Sequence, residues 1–256
     1  MQIISHSNTS DWTLSDPFGD FCYDEQSLQR IAAKRGAGLT VEELAFTVFA
    51  GYLPAGTYEE CIPYLPAAYD YLRTATPGAD DGLPDLWENL FHIWVPENIE
   101  NLRRDGLLEG VVAQMRGIFH ERLESWLRTG ESIAMAANLE LWCMNFLCSR
   151  LVAEDHAPLL QKLLTGGVHA RILLLQLHPA SAPSFPHMSP DNEACYFTPS
   201  EVRSTVQQCL PETLLPEFLR TLRTDAQTLF ESRKATHKLM AYWDIQIRCA
   251  EKHVTK

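Results

Sequence analysis

The sequence predicts an all-α fold, an irregular array of about ten helices in antiparallel pairs. Three observations lead there: helix-start signals recur, apolar residues repeat at helical spacing, and strict alternation with β-branched residues is nearly absent. Thr40-Val41-Glu42-Glu43 and Thr57-Tyr58-Glu59-Glu60 read as capping boxes, with the threonine oxygen accepting from the N–H three residues on and the glutamate reaching back. Thr198-Pro199-Ser200-Glu201 is a third, with proline at the first helical position.

After Thr40, Leu44, Val48 and Phe49 keep helical spacing until Gly51 and Pro54 stop the run. Tyr58, Cys61, Ile62, Leu65, Tyr69 and Leu72 form one stripe, which Pro63 and Pro66 must break into short pieces. Pro84 and Pro96 suit first-turn positions, so each is expected to open a helix, through 86–94 and 97–105. Leu107, Val111, Met115, Ile118, Phe119 and Leu123 make the next stripe, and residues 131–157 contain neither Gly nor Pro. The apolar run 172–177 is read as helix, because leucine favours helix over strand. Residues 217–256 again lack Gly and Pro, and they read as a long C-terminal helix or as two helices end to end.

One long Pro-rich loop, 178–199, interrupts this pattern. Pro179 ends the helix before it and the Thr198 box starts the helix after it. Phe185, Met188, Tyr196 and Phe197 are anchors that a free linker would not carry, so the loop is expected to lie pinned across the body. The chain is read as a single helical domain over 1–256. A subdivision into an acidic body, 1–177, and C-terminal helices, 200–256, follows from the same loop.

Hydrophobic residues at 46% and charged residues at 21% describe a globular chain, and no apolar run is long enough to cross a membrane. The start lacks the basic and apolar regions of a secretory signal, and seven scattered cysteines do not form a disulfide framework. A cytoplasmic location is expected. Residues 1–100 hold 16 Asp/Glu against 4 Lys/Arg, while 101–256 hold 17 of each, so the whole net charge of −12 lies in the first part. Such a field repels nucleic acid and acidic membranes and attracts basic proteins.

No motif names a reaction. Gly130-Glu131-Ser132-Ile133-Ala134 approximates a nucleophile elbow, yet that motif needs a strand before it and the preceding residues are amphipathic helix. His120 and Glu124 share a helix face at the spacing of two metal ligands, and the histidines of the loop, His178 and His187, are the nearest further donors by type. Cys143 and Cys148 are five residues apart on a helix, which points the sulfurs in different directions. Asp80, Asp81, Asp85 and Glu88 cluster in sequence, and Glu59 and Glu60 add acid nearby.

The expected function is a protein-binding protein whose acidic N-terminal region docks on a basic partner, as an inhibitor, an immunity protein against a toxin, or an adaptor. Glu59, Glu60, Asp80, Asp81, Asp85 and Glu88 are the expected contact residues, with no cofactor, no nucleic acid and no membrane. Self-association through the C-terminal helix is a further expectation. The alternative is a helical metal-dependent enzyme using His120, Glu124, His178 and His187.

Overall fold

The protein is described by a computed structural model over residues 12–17, 19, 23–51, 53–75, 82–129, 133–181, 195–232 and 234–254. Among these residues the fold is all-α, and its one β contact is an isolated bridge between Ser149 and Tyr196. Helix α1 (Glu25–Ala33) opens on Asp24, whose carboxylate accepts from the Gln26 and Ser27 N–H groups. All three capping boxes form. The Thr40 box starts α2 (Val41–Glu43), which continues as a π-helical turn, Leu44–Val48. The Thr57 box starts α3 (Tyr58–Cys61), and the two prolines divide that stripe as expected. A 3₁₀ turn at Ile62–Tyr64 follows, and then α4 (Leu65–Thr74).

The next stretch corrects one expectation. Helix α5 (Leu83–Trp87) runs directly into a π-helical segment, Glu88–Trp94, and on into α6 (Val95–Glu97). Pro96 therefore lies inside a continuous helical run and does not open a new helix. Proline carries no N–H, so the carbonyl one turn back, on His92, loses its α-helical donor. The Tyr196 hydroxyl, from the far end of the Pro-rich loop, donates to that carbonyl instead. Both His92 and Tyr196 are buried, so the replacement bond forms away from water.

Helix α7 (Ile99–Arg104) leads to α8 (Leu108–Thr129) and α9 (Ile133–Cys148). Apolar residues on α9 fall on every side, and Leu139, Trp142, Cys143, Met144, Phe146, Leu147 and Cys148 are all buried. A helix of that kind belongs in the centre of a domain. Trp142 stacks on Trp87 at 4.5 Å and Phe146 stacks on Phe119 at 4.1 Å, which ties α9 to α5 and α8. After a 3₁₀ segment, Arg150–Asp155, come α10 (His156–Thr165) and α11 (Val168–Leu177). The apolar run 172–177 is thus helix, and it is buried throughout. The corner before it requires glycine, because a Cβ at Gly166 would lie 2.5 Å from that of Ala170.

Helix α11 ends at Leu177 and a short 3₁₀ turn, Pro179–Ser181, follows. Phe185, His187 and Met188 lie outside the described residues. The loop's other end is held firmly: Phe197 N–H donates to the Cys148 carbonyl at 2.7 Å, and Arg150 Nε donates to the Tyr196 carbonyl at 2.6 Å. Helix α12 (Pro199–Cys209) then leads to α13 (Leu215–Glu231) and α14 (His237–Val254). Of the two readings of 217–256 the structure takes two helices, packed side by side as an antiparallel pair rather than end to end. Arg223 on α13 reaches Glu251 on α14 at 2.8 Å, and the Phe230 ring meets His237 at the turn. Most buried hydrophobic residues, from Leu14 to Ala250, belong to one cluster, and Ile99, Cys195 and Tyr196 form a smaller one.

Tyr196→Phe keeps the ring and removes the donor to a buried carbonyl. Chemical denaturation should show a loss of about 1–3 kcal/mol with an unchanged m-value. Unaltered stability would mean that the His92 carbonyl does not depend on this hydroxyl.

Candidate functional site

The acidic residues separate into groups with different work. Glu60 completes the Thr57 box by accepting from the Thr57 N–H, and it also accepts from Ser15 Oγ at 2.6 Å. These bonds hold its carboxyl below the ordinary range against the opposing effect of burial. Glu59 beside it faces Arg104 at 3.7 Å, and Arg104 lies over the Tyr58 ring and pairs with Asp105 at 2.8 Å. Asp80 and Asp81 lie outside the described residues.

Asp85 and Glu88 remain, three residues apart on one face of the α5 run. Both are half-buried. Among the described residues no side chain forms an ion pair or hydrogen bond with Asp85, and burial raises its carboxyl above the ordinary value. Such a group is destabilised in its charged form until a cation reaches it.

An aromatic residue flanks the same helix start. Phe46, on the π turn of α2, is 49% exposed. A Cβ at Gly82 would lie 3.4 Å from its ring edge and 3.5 Å from Val41, so the ring occupies the space beside the residue that caps α5. Asp85 follows Gly82 by three residues, so its carboxylate is on the same face of the helix one turn beyond the ring. Glu42, four residues before Phe46 on α2, is exposed on the same face.

The placement of this ring follows from hydrogen-bond bookkeeping. Phe49 N–H bonds back five residues to Leu44 at 2.9 Å, in the π register. The Ala45 carbonyl accepts instead from Asn89 Nδ2 at 2.9 Å. Asn89 itself lies in the π segment Glu88–Trp94, so one side chain joins the two π turns and fixes Phe46 against the start of α5.

The residues considered for metal binding are engaged within the fold. Glu124 pairs with Lys162. His120 packs against the Phe119 and Phe146 rings, and its burial disfavours the charged form. Both ring nitrogens of His178 are used, one with the Leu210 carbonyl at 3.0 Å and the other accepting from Ala180 N–H at 3.1 Å. His187 lies outside the described residues. Among the described residues no three His, Cys, Asp or Glu side chains gather as metal ligands. Cys143 and Cys148 are fully buried, and burial pushes the Cys148 thiol up to about 12. Residues 130–132 of the elbow-like motif lie outside the described residues, while α8 occupies the place where the required strand would run.

Two further polar features have no local signal in the sequence. Gln176 Nε2, on the buried helix α11, donates to Glu140 at 2.8 Å and to the Tyr242 hydroxyl at 2.6 Å. Burial raises the Glu140 carboxyl and pushes Tyr242 up to about 12. A groove of about 730 Å³ runs between α13 and α14 over Trp243 and Met240, and the Arg223–Asp244 pair lies along it. Among the described residues, no helix is long and apolar enough to cross a membrane.

Asp85 and Glu140 share a linkage sign. A carboxyl raised in the folded state binds its proton more tightly there than in the unfolded chain. Folding stability from such a group is greatest at low pH and declines as pH rises from about 4 upward. Asp85→Asn and Glu140→Gln should therefore gain on the parent protein between acid and neutral pH, measured by urea unfolding at several pH values. A loss above about 1 kcal/mol at neutral pH would show that the charged forms are supported by the fold.

Comparison of the chain with protein-family models, curated proteins and solved structures finds no match.

Proposed function

We propose that this is a cytoplasmic protein-binding protein whose acidic N-terminal region docks on a basic partner, as an inhibitor, an immunity protein neutralising a toxin, or an adaptor. The observation that carries this reading is the half-buried Asp85 carboxylate, without a cation among the described residues, one helical turn beyond the exposed ring of Phe46 that packs at Gly82. A basic partner relieves the first and covers the second.

The charge distribution supports the same reading. The excess acid is confined to residues 1–100, so a basic protein is drawn toward that region and away from the neutral remainder. Long-range attraction of this kind speeds encounter, and an aromatic anchor slows release. Within the expected contact set, Asp85 and Glu88 lie on the helical run whose capping residue, Gly82, packs against the anchor. Glu60 serves its own helix start and Glu59 faces Arg104. Glu42 and Phe46 join the set.

The test begins with capture of partners from the source cytosol on immobilised protein, followed by surface plasmon resonance with the basic protein recovered. Association should slow steeply with added salt. Asp85→Asn with Glu88→Gln should lower the on-rate, while Phe46→Ala should raise the off-rate by about tenfold, as for an interface anchor of roughly 1–2 kcal/mol. A partner that binds all of these variants like the parent would exclude this face as the docking surface.

A further inference from the structure

We propose that the group this face receives is an arginine side chain of the partner, its guanidinium lying over the Phe46 ring and paired with the Asp85 carboxylate. The inference rests on the docking function proposed above and specifies its chemistry.

The chain builds the same arrangement twice within itself. Arg150 lies over the Phe197 ring at 4.3 Å, with the Glu201 carboxylate at 3.2 Å from its guanidinium. Arg104 lies over the Tyr58 ring at 5.9 Å, with Glu59 at 3.7 Å and Asp105 at 2.8 Å. In each case an aromatic ring offers its face and a neighbouring carboxylate fixes the cation. Phe46 and Asp85 reproduce the ring and the carboxylate, and no Arg or Lys of the described residues is paired with that carboxylate.

Arginine fits this pair better than lysine for two physical reasons. A guanidinium is planar and weakly hydrated, so it stacks on a ring while its edge N–H groups bond a carboxylate in the same plane. An ammonium is strongly hydrated and loses more water on entering a half-buried site. Ring and carboxylate here belong to different helical segments, held together by the Asn89–Ala45 bond, so their relative placement is set before a partner arrives. Glu42 and Glu88 at the rim add attraction without selecting between the two cations.

The experiment uses the full chain with two labelled probes of equal length and charge, a Gly-Arg repeat peptide and its Gly-Lys counterpart. Affinity is read by fluorescence anisotropy at physiological ionic strength. The parent protein should bind the arginine peptide about threefold more tightly than the lysine peptide, the scale of a cation–π contact at an exposed site. Phe46→Leu, which keeps an apolar side chain, should abolish that preference while leaving lysine binding near its parent value. Asp85→Asn should weaken both peptides more than Asp70→Asn, which removes equal charge from the exposed face of α4. Equal affinity for the two peptides, or a preference that survives Phe46→Leu, overturns the arginine assignment and leaves the docking face standing if Asp85→Asn still weakens both. If Asp85→Asn acts no more than Asp70→Asn, the docking face itself falls.

Discussion

A π-helical turn bonds each N–H to the carbonyl five residues back, so a helix that enters or leaves this register leaves a carbonyl oxygen without its backbone donor. The fold meets an unserved carbonyl twice, once through this register and once through a proline, each time with a side chain from another segment. Asn89 serves Ala45, and Tyr196 serves His92, whose usual donor is replaced by Pro96. A buried carbonyl left unserved costs about 1–3 kcal/mol, comparable with a sizeable share of a domain's net stability. These two bonds therefore do more than tidy helix ends. The first fixes α2 against α5, and the second fixes the end of the Pro-rich loop against the same helical run.

Around this arrangement the apolar helix α9 forms the centre, and the charge is distributed unevenly over what surrounds it. The C-terminal helices hold their acids and bases in mutual pairs, such as Arg223 with Asp244 and Glu251 and Arg171 with Asp225. The N-terminal helices carry acid with few bases to meet it. Two of those bases, Lys34 and Arg73, are already paired, with Glu43 and Glu121. The charge imbalance thus belongs to the same part of the chain that presents an exposed aromatic ring on a π turn, and this coincidence underlies the functional proposal.

Much of the fold is legible in the sequence because its signals are local. Capping boxes at Thr40, Thr57 and Thr198 need only four residues each, and all three form as read. The breaks at Pro63 and Pro66 follow from proline's missing donor. Pro96 breaks the same rule because its consequence is repaired a hundred residues away by Tyr196, a pairing that no local pattern encodes. The fold-back between α13 and α14 is invisible for a related reason: without Gly or Pro, only the packing of the two helices decides where the chain reverses. The candidate site was legible in part. Asp85 and Glu88 stand out as acid, whereas Phe46 lies off the apolar stripe of its helix, which runs through Leu44, Val48 and Phe49. An aromatic lying off such a stripe is itself a signal, since the stripe marks the buried face. Glu60 has a structural partner that its own capping-box pattern already encodes.

The claim on which the rest depends is that a basic protein covers Phe46 in the cell. Incorporation of a photo-crosslinking amino acid at position 46, with position 245 on α14 as the comparison, tests it most directly. The account predicts that illumination of cells traps one basic protein at position 46, that Asp85→Asn removes the product, and that position 245 does not trap it. It is contradicted if position 46 traps nothing, traps an acidic protein, or traps the same protein whether or not Asp85 is present.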